Sequence, residues 1–174
     1  LAVVLLSVVA AFSDARPNAK GLSRQDADAR SARVSELRYA LSFSIDADAP
    51  DFSGSADIFF KLKDAKSPLT IDFVEGKVLG VEAEGKATPF EYNGLFVTVP
   101  ASALREGENR LSVAFTHPYS KGGAGLYRSK DPVDGLSYTY TDFEPYDDNQ
   151  LFPCFDQPDH KASYALEVEA PLDW

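Results

Sequence analysis

Two carboxylates, Asp142 and Glu144, close a β-patterned run at residues 137–143 and lead into Pro145-Tyr146-Asp147-Asp148-Asn149-Gln150. By pattern alone these read as solvated acids at a strand end; a carboxylate fixed at the mouth of a cleft would instead recognise a cation by charge and hydrogen bond together. Residues two apart in an extended segment project from the same sheet face, so Asp142 and Glu144 are expected to line one cleft. Two neighbouring acids also fit a cation site, or a pair in which one pKa is raised by the other. Other chemistry is not assembled. His117 and His160 are the only histidines and stand too far apart for the i, i+4 spacing of a zinc-binding H-E-x-x-H helix. No G-x-S-x-G elbow supports a serine hydrolase. Gly122-Gly123-Ala124-Gly125 lacks the Lys and Ser/Thr of a phosphate loop, and Asp46-Ala47-Asp48-Ala49-Pro50-Asp51 lacks the Gly and distal Glu of an EF-hand, so both read as connections between strands. Asp147-Asp148-Asn149 reads as a solvated loop or a cap. Cys154, between Pro153 and Phe155, reads as a small buried hydrophobe and not as a reactive thiol.

The elements that must position these acids are strands. Leu37, Tyr39, Leu41, Phe43 and Ile45 alternate with polar or small residues, and the same period of two returns at Ala56–Leu62, Leu69–Phe73 and Leu111–Phe115. Further strands are expected at 137–143 and 162–170. Residues 89–100 read as a hairpin, with Asn93-Gly94 supplying the two positive-φ positions of a type I′ turn. Ser23-Arg24-Gln25-Asp26 has the form of a helix N-cap, and a short helix to about Ser35 follows. Many short strands after one helix predict an all-β fold: an antiparallel β-sandwich or a saddle-shaped twisted sheet with a short N-terminal helix.

A chain of 174 residues with 44% hydrophobic and 12% aromatic content can bury one substantial core. Its net charge of −10 argues against a nucleic-acid partner, which needs clustered Lys and Arg. One cysteine excludes an internal disulfide. Residues 1–12, LAVVLLSVVAAF, are apolar but short of the roughly 20 residues that span a bilayer. With Ser13-Asp14-Ala15 they form a signal-like segment whose cleavage after Ala15 implies export to a periplasmic or extracellular location. A buried apolar edge strand, and with it a cytoplasmic protein, is the alternative. The expected organisation is a signal peptide at 1–15, a linker and short helix at 16–36, and a β-domain at 37–174.

Residues 138–166 resemble one place in the zinc aminopeptidase N family. There a strand carrying T-Q-x-E or a close variant precedes an acidic-aromatic loop similar to F-P-C-F-D-E-P-x-x-K-A. The corresponding residues here are Thr141-Asp142-Phe143-Glu144 and Phe152-Pro153-Cys154-Phe155-Asp156-Gln157-Pro158-Asp159-His160-Lys161-Ala162. Gly125-Leu126-Tyr127-Arg128 and Asp131-Pro132-Val133-Asp134-Gly135 look like the family's approach to that strand. The resemblance implies the saddle-shaped N-terminal β-domain of a zinc metallo-aminopeptidase similar to the membrane alanyl enzymes. Glu144 then belongs to the set that binds the substrate's free amine. Asp142, where the family commonly has Gln, lies near the pocket for the first side chain. The family's H-E-x-x-H and G-A-M-E-N motifs are not among these residues. The chain therefore reads as a piece of a longer protein, inactive by itself, with zinc held outside it and its own catalytic domain as partner. Residues 143–155 are expected to face that domain as an exposed aromatic and acidic surface. A non-catalytic β-sandwich binding or adhesion module is the alternative function.

Overall fold

The computed structural model describes residues 21–46 and 48–172; the expected signal segment and most of the linker after it lie outside the described residues. Helix α1 (Arg24–Arg33) begins as expected at Ser23, whose hydroxyl accepts from the Asp26 amide at 3.1 Å. Val34 follows directly in extended conformation, so the helix ends two residues before the expected Ser35. Strands β1 (Val34–Ser44), β2 (Asp51–Leu62), β3 (Leu69–Asp72), β4 (Lys77–Ala83), β5 (Lys86–Ala87), β6 (Glu91–Tyr92), β7 (Phe96–Val99), β8 (Gly107–Pro118), β9 (Gly125–Lys130), β10 (Ser137–Asp142) and β11 (Ala162–Glu169) make up the rest. Six strands form one sheet in the order β11-β1-β2-β8-β4-β5, three form a second as β3-β7-β6, and β9 pairs with β10. The all-β class with one short helix is as expected from the periodicity.

Alternation explains which faces are inside. Ala56, Ile58, Phe60 and Leu62 of β2 and Leu111, Val113 and Phe115 of β8 are buried, as are Leu69 and Ile71 of β3 and Val97 and Val99 of β7. The two sheets close on a single core, in which the rings of Phe73 and Phe115 meet edge to face at 5.2 Å. Each large side chain so buried contributes roughly 1.5–3 kcal/mol against the entropy of ordering the chain. A bulge at Ser35–Glu36, where Glu36 takes φ 54°, lets Val34 and Leu37 both face inward. Strict alternation would have turned one of them to solvent.

Two details depart from the antiparallel hairpin pattern. The pair β1·β11 is parallel, with Tyr39 opposite Tyr164 and Phe43 opposite Val168. A period of two reports only which face is buried and is silent on strand direction. The expected I′ turn at Asn93-Gly94 is also different. Only Gly94 has positive φ there, and the Asn93 side chain accepts from the amides of Leu95 and Phe96 at 2.9 and 3.0 Å, making a wider loop. Two successive positive φ values occur instead at Glu84-Gly85, between the paired Ala83 and Lys86.

Candidate functional site

Strand β10 pairs antiparallel with β9, Tyr140 opposite Tyr127 and Asp142 opposite Gly125, and ends at Asp142. Residues 144–147 form a turn and Asp148–Gln150 a short 3₁₀ segment. The expected alternation from Asp142 to Glu144 therefore fails. Glu144 is exposed on the turn, and its amide donates to Asp142 Oδ1 at 3.3 Å, so Asp142 caps the turn on which Glu144 stands. Gly125, at φ 68°, admits this turn against β9: a Cβ there would sit 2.8 Å from the Gln150 carbonyl oxygen.

Behind the turn lies a buried polar chain that the sequence alone did not reveal. Asn149, 1% exposed, donates its backbone amide and its Nδ2 to one oxygen, Asp156 Oδ2, at 3.1 and 2.7 Å. Its Nδ2 also donates to the Tyr146 carbonyl at 3.2 Å, and its own carbonyl accepts from Val74 at 2.9 Å. The Asp156 amide donates to Asp72 Oδ2 at 3.1 Å, and Arg30 of α1 clasps both oxygens of Asp72 at 2.7 and 3.2 Å. Burial alone would lower the Arg30 pKa, but the charge of Asp72 and its hydrogen bond outweigh that and raise it, so the guanidinium stays charged. Burial pushes the Asp156 carboxyl up to about 6, against the opposing bonds from Asn149. The one visible signal for this chain was Asp72, an acid ending the apolar strand Leu69-Thr70-Ile71. Its partner Arg30 is 42 residues away.

The segment from Leu151 to Gln157 is buried throughout, which corrects the expected exposure for residues 151–155, while Phe143, Glu144 and Pro145 are exposed as expected. Phe152 meets Tyr39 at 5.7 Å, Phe155 meets Phe60 at 5.5 Å, and the Phe155 amide donates to the Tyr39 hydroxyl at 3.0 Å. Cys154 exchanges backbone hydrogen bonds with Asp72 at 2.8 and 3.0 Å, and burial raises its thiol pKa well above the ordinary value, which fits the inert reading. Exposed apolar surface lies beside this plug instead. An apolar groove of about 450 Å³ is lined by Leu41, Phe43, Thr141, Phe143, Tyr164 and Leu166 among others. Along β11, Tyr164, Leu166 and Val168 are 56%, 64% and 49% exposed.

Among the described residues no three His, Cys, Asp or Glu side chains group so as to hold a metal ion. His117 is a core residue, its ring nitrogens 2.7 and 2.8 Å from the carbonyl oxygens of Pro118 and Val74. His160 is half-buried with its ring against Phe155, and burial lowers its pKa. In the connection between β1 and β2, Asp46 Oδ1 accepts from the Asp48 amide at 2.9 Å. No helix among the described residues is long and apolar enough to cross a membrane.

Residues 35–174 match the Peptidase M1 N-terminal domain. Aminopeptidase N of Streptomyces lividans is 29% identical over 157 residues, covering 88% of this chain and 18% of that protein. The probable M1 family aminopeptidase 1 of Encephalitozoon cuniculi is 39% identical over 97 residues, 56% of this chain and 10% of that one. The chain thus spans under a fifth of these relatives' length. Among solved structures, yeast LTA4 hydrolase in complex with bestatin superposes with a TM-score of 0.73 at 22% identity, covering 90% of this chain and 26% of the other. The M1 zinc metallopeptidase of Deinococcus radiodurans gives 0.61 at 20% identity, over 80% and 33% of the two chains. These two likenesses concern the fold. With the buried Phe152–Asp156 plug and the family match over residues 35–174, the chain belongs to the N-terminal domain family of the M1 peptidases.

Proposed function

We propose that this domain supplies substrate recognition to a zinc-dependent aminopeptidase that releases N-terminal amino acids from peptides, in the manner of the membrane alanyl enzymes. The observation that carries the reading is the placement of Glu144: an exposed carboxylate on a turn whose base is locked by buried hydrogen bonds, next in sequence to Phe143, which lines an apolar groove. An acid so placed can accept a hydrogen bond from a peptide's terminal ammonium while apolar walls lower the surrounding dielectric. Asp142 contributes by capping the turn, and its remaining charge adds to the negative field that draws the ammonium in. The zinc ion, which in such an enzyme polarises the scissile carbonyl and activates water, is assigned to residues outside this chain. No step at a metal is assigned to the residues described. The exposed Phe143 and the apolar edge of β11 face the remainder of the enzyme. Residues 1–15 export the protein. The chain by itself recognises but does not hydrolyse.

The test uses the complete enzyme. Glu144→Ala should lower kcat/KM for a free-amine peptide about thirty-fold or more, as expected for loss of one partner of a desolvated charge pair. Wild type should discriminate strongly against the N-acetylated peptide, and the variant much less. Unchanged efficiency with unchanged preference for a free amine would make Glu144 an ordinary surface acid.

A further inference from the structure

Helix α1 precedes residue 35, where the family match begins, yet it grips the segment that holds the candidate site. Arg30 forms the buried pair with Asp72, Ser31 Oγ donates to Asp159 Oδ2 at 2.7 Å, and Gln157 Nε2 donates to the Ala27 carbonyl at 3.1 Å and to Ser31 Oγ at 2.6 Å. From there the bonds run outward without a break. The Arg30 guanidinium holds the Asp72 carboxylate, Asp72 holds the Asp156 amide, the Asp156 carboxylate holds both N–H groups of Asn149, and Asn149 reaches the Tyr146 carbonyl, two residues from Glu144.

Apolar packing covers this turn only in part, since residues 143–145 are exposed and 146–148 partly covered. Asn149 is its one deeply buried side chain, and its amide group hydrogen-bonds the Tyr146 carbonyl and the Asp156 carboxylate. The backbone bonds within the turn, Asp147 N to the Phe143 carbonyl at 3.2 Å and Gln150 N to the Asp147 carbonyl at 3.1 Å, shape it but do not tie it to the sheet. Ties from the turn to the rest of the domain include the Asn149–Asp156 bonds and the bond from Val74. A functional group is only as well placed as the residues that hold its support.

We infer that Asp156 and Asn149 are positioning residues that set the turn presenting Glu144 to the substrate ammonium, and that Arg30, through Asp72, sets Asp156. The inference rests on the reading of Glu144 given above. Its chemistry is specific about what matters. Both donors of Asn149 converge on a single oxygen of Asp156, so a neutral amide oxygen in the same place can accept both, whereas a methyl group can accept neither. Geometry, and not the charge of Asp156, is the device.

In the complete enzyme, Asp156→Ala, Asp156→Asn and Asn149→Ala separate the possibilities. Asp156→Ala should raise KM for an aminoacyl anilide about tenfold with a smaller change in kcat, since a turn displaced by an ångström misplaces a binding group without touching the reacting atoms. Hydrogen exchange should accelerate at residues 143–150 while β2 and β8 keep their protection, which distinguishes a loosened turn from a loosened fold. Asp156→Asn should restore both KM and exchange. Asn149→Ala keeps the Arg30, Asp72 and Asp156 amide bonds and should reproduce the Asp156→Ala result even if that variant does not fold. Unchanged exchange at 143–150 in both alanine variants, or an Asp156→Asn variant as impaired as Asp156→Ala, overturns the inference. Faster exchange with unchanged KM upholds the tie to the turn and removes Glu144 from amine recognition, so the two readings fail separately.

Discussion

Arg30 Nη1 lies 2.7 Å from Asp72 Oδ2 with both side chains buried, joining the helix that leads into the six-stranded sheet to an edge strand of the three-stranded one. Removing one partner leaves the other charge buried without its counter-charge, even though Asp72 keeps the hydrogen bond from the Asp156 amide. Arg30→Met should therefore destabilise the domain by about 3–5 kcal/mol, and the double variant Arg30→Met/Asp72→Leu should be less destabilised than the single one. Urea unfolding of the three proteins measures this, and a double variant no better than the single would mean that the pair is a minor part of the core.

Asp156 makes a pH-dependent contribution of opposite sign to that of a salt-bridged acid. Its carboxyl is raised from 3.8 to about 6 by burial and by the nearby Asp148 and Asp72, with the Asn149 bonds opposing. Between those values the folded protein binds the proton that the unfolded chain releases, so this group stabilises at low pH and loses that contribution as pH rises through about 6. Asp156→Asn should be more stable than wild type at neutral pH by about 1–3 kcal/mol, with the difference shrinking towards pH ~4. Unfolding midpoints of both proteins across that range check it. Cys154 and Tyr164 feel the Asp156 charge, but burial holds both of their pKa values above this range.

Gly125 is the narrowest steric point of the site. Alanine there meets both a left-handed backbone and the Gln150 carbonyl oxygen at 2.8 Å. Gly125→Ala should destabilise by about 1–3 kcal/mol and push the turn away from β9. Thermal unfolding reports the first effect and exchange at 148–151 the second; a neutral substitution would show that the turn yields freely.

Substitution of Glu144 should be graded. Glu144→Gln keeps an acceptor but loses the charge, so its kcat/KM should fall between those of wild type and Glu144→Ala. Zinc content and thermal stability of the complete enzyme should stay unchanged, because Glu144 is exposed and off the core. A parallel loss of metal or of stability would assign the defect to folding.

The 174-residue chain alone should neither hydrolyse an aminoacyl anilide nor take up zinc stoichiometrically after chelator washing, since catalytic sites use three protein ligands. Activity restored by zinc in a preparation free of host aminopeptidase would contradict this.

Periodicity in the sequence was enough for the strands and for which of their faces are buried: Ala56, Ile58, Phe60 and Leu62 had to point one way because side chains alternate along any strand. The Ser23 cap was equally local, needing only a hydroxyl three residues from a free amide. The aromatic-proline run from Phe152 to Asp156 disclosed the family. Tertiary structure alone decided the parallel pairing of β11 with β1, since alternation is the same in either direction. It also decided that Phe152 and Phe155 plug this domain's own core, where Tyr39 and Phe60 meet them and Asp72 at the end of β3 pairs with Cys154. The line from Arg30 through Asp72 to Asp156 joins residues 42 and then 84 apart, and no local pattern records which buried acid will face which donor. Even the relation of Asp142 to Glu144, two residues apart, was decided from a distance. Strand β10 ends at Asp142 opposite Gly125, where β9 begins, and beyond that point pairing no longer holds the chain extended.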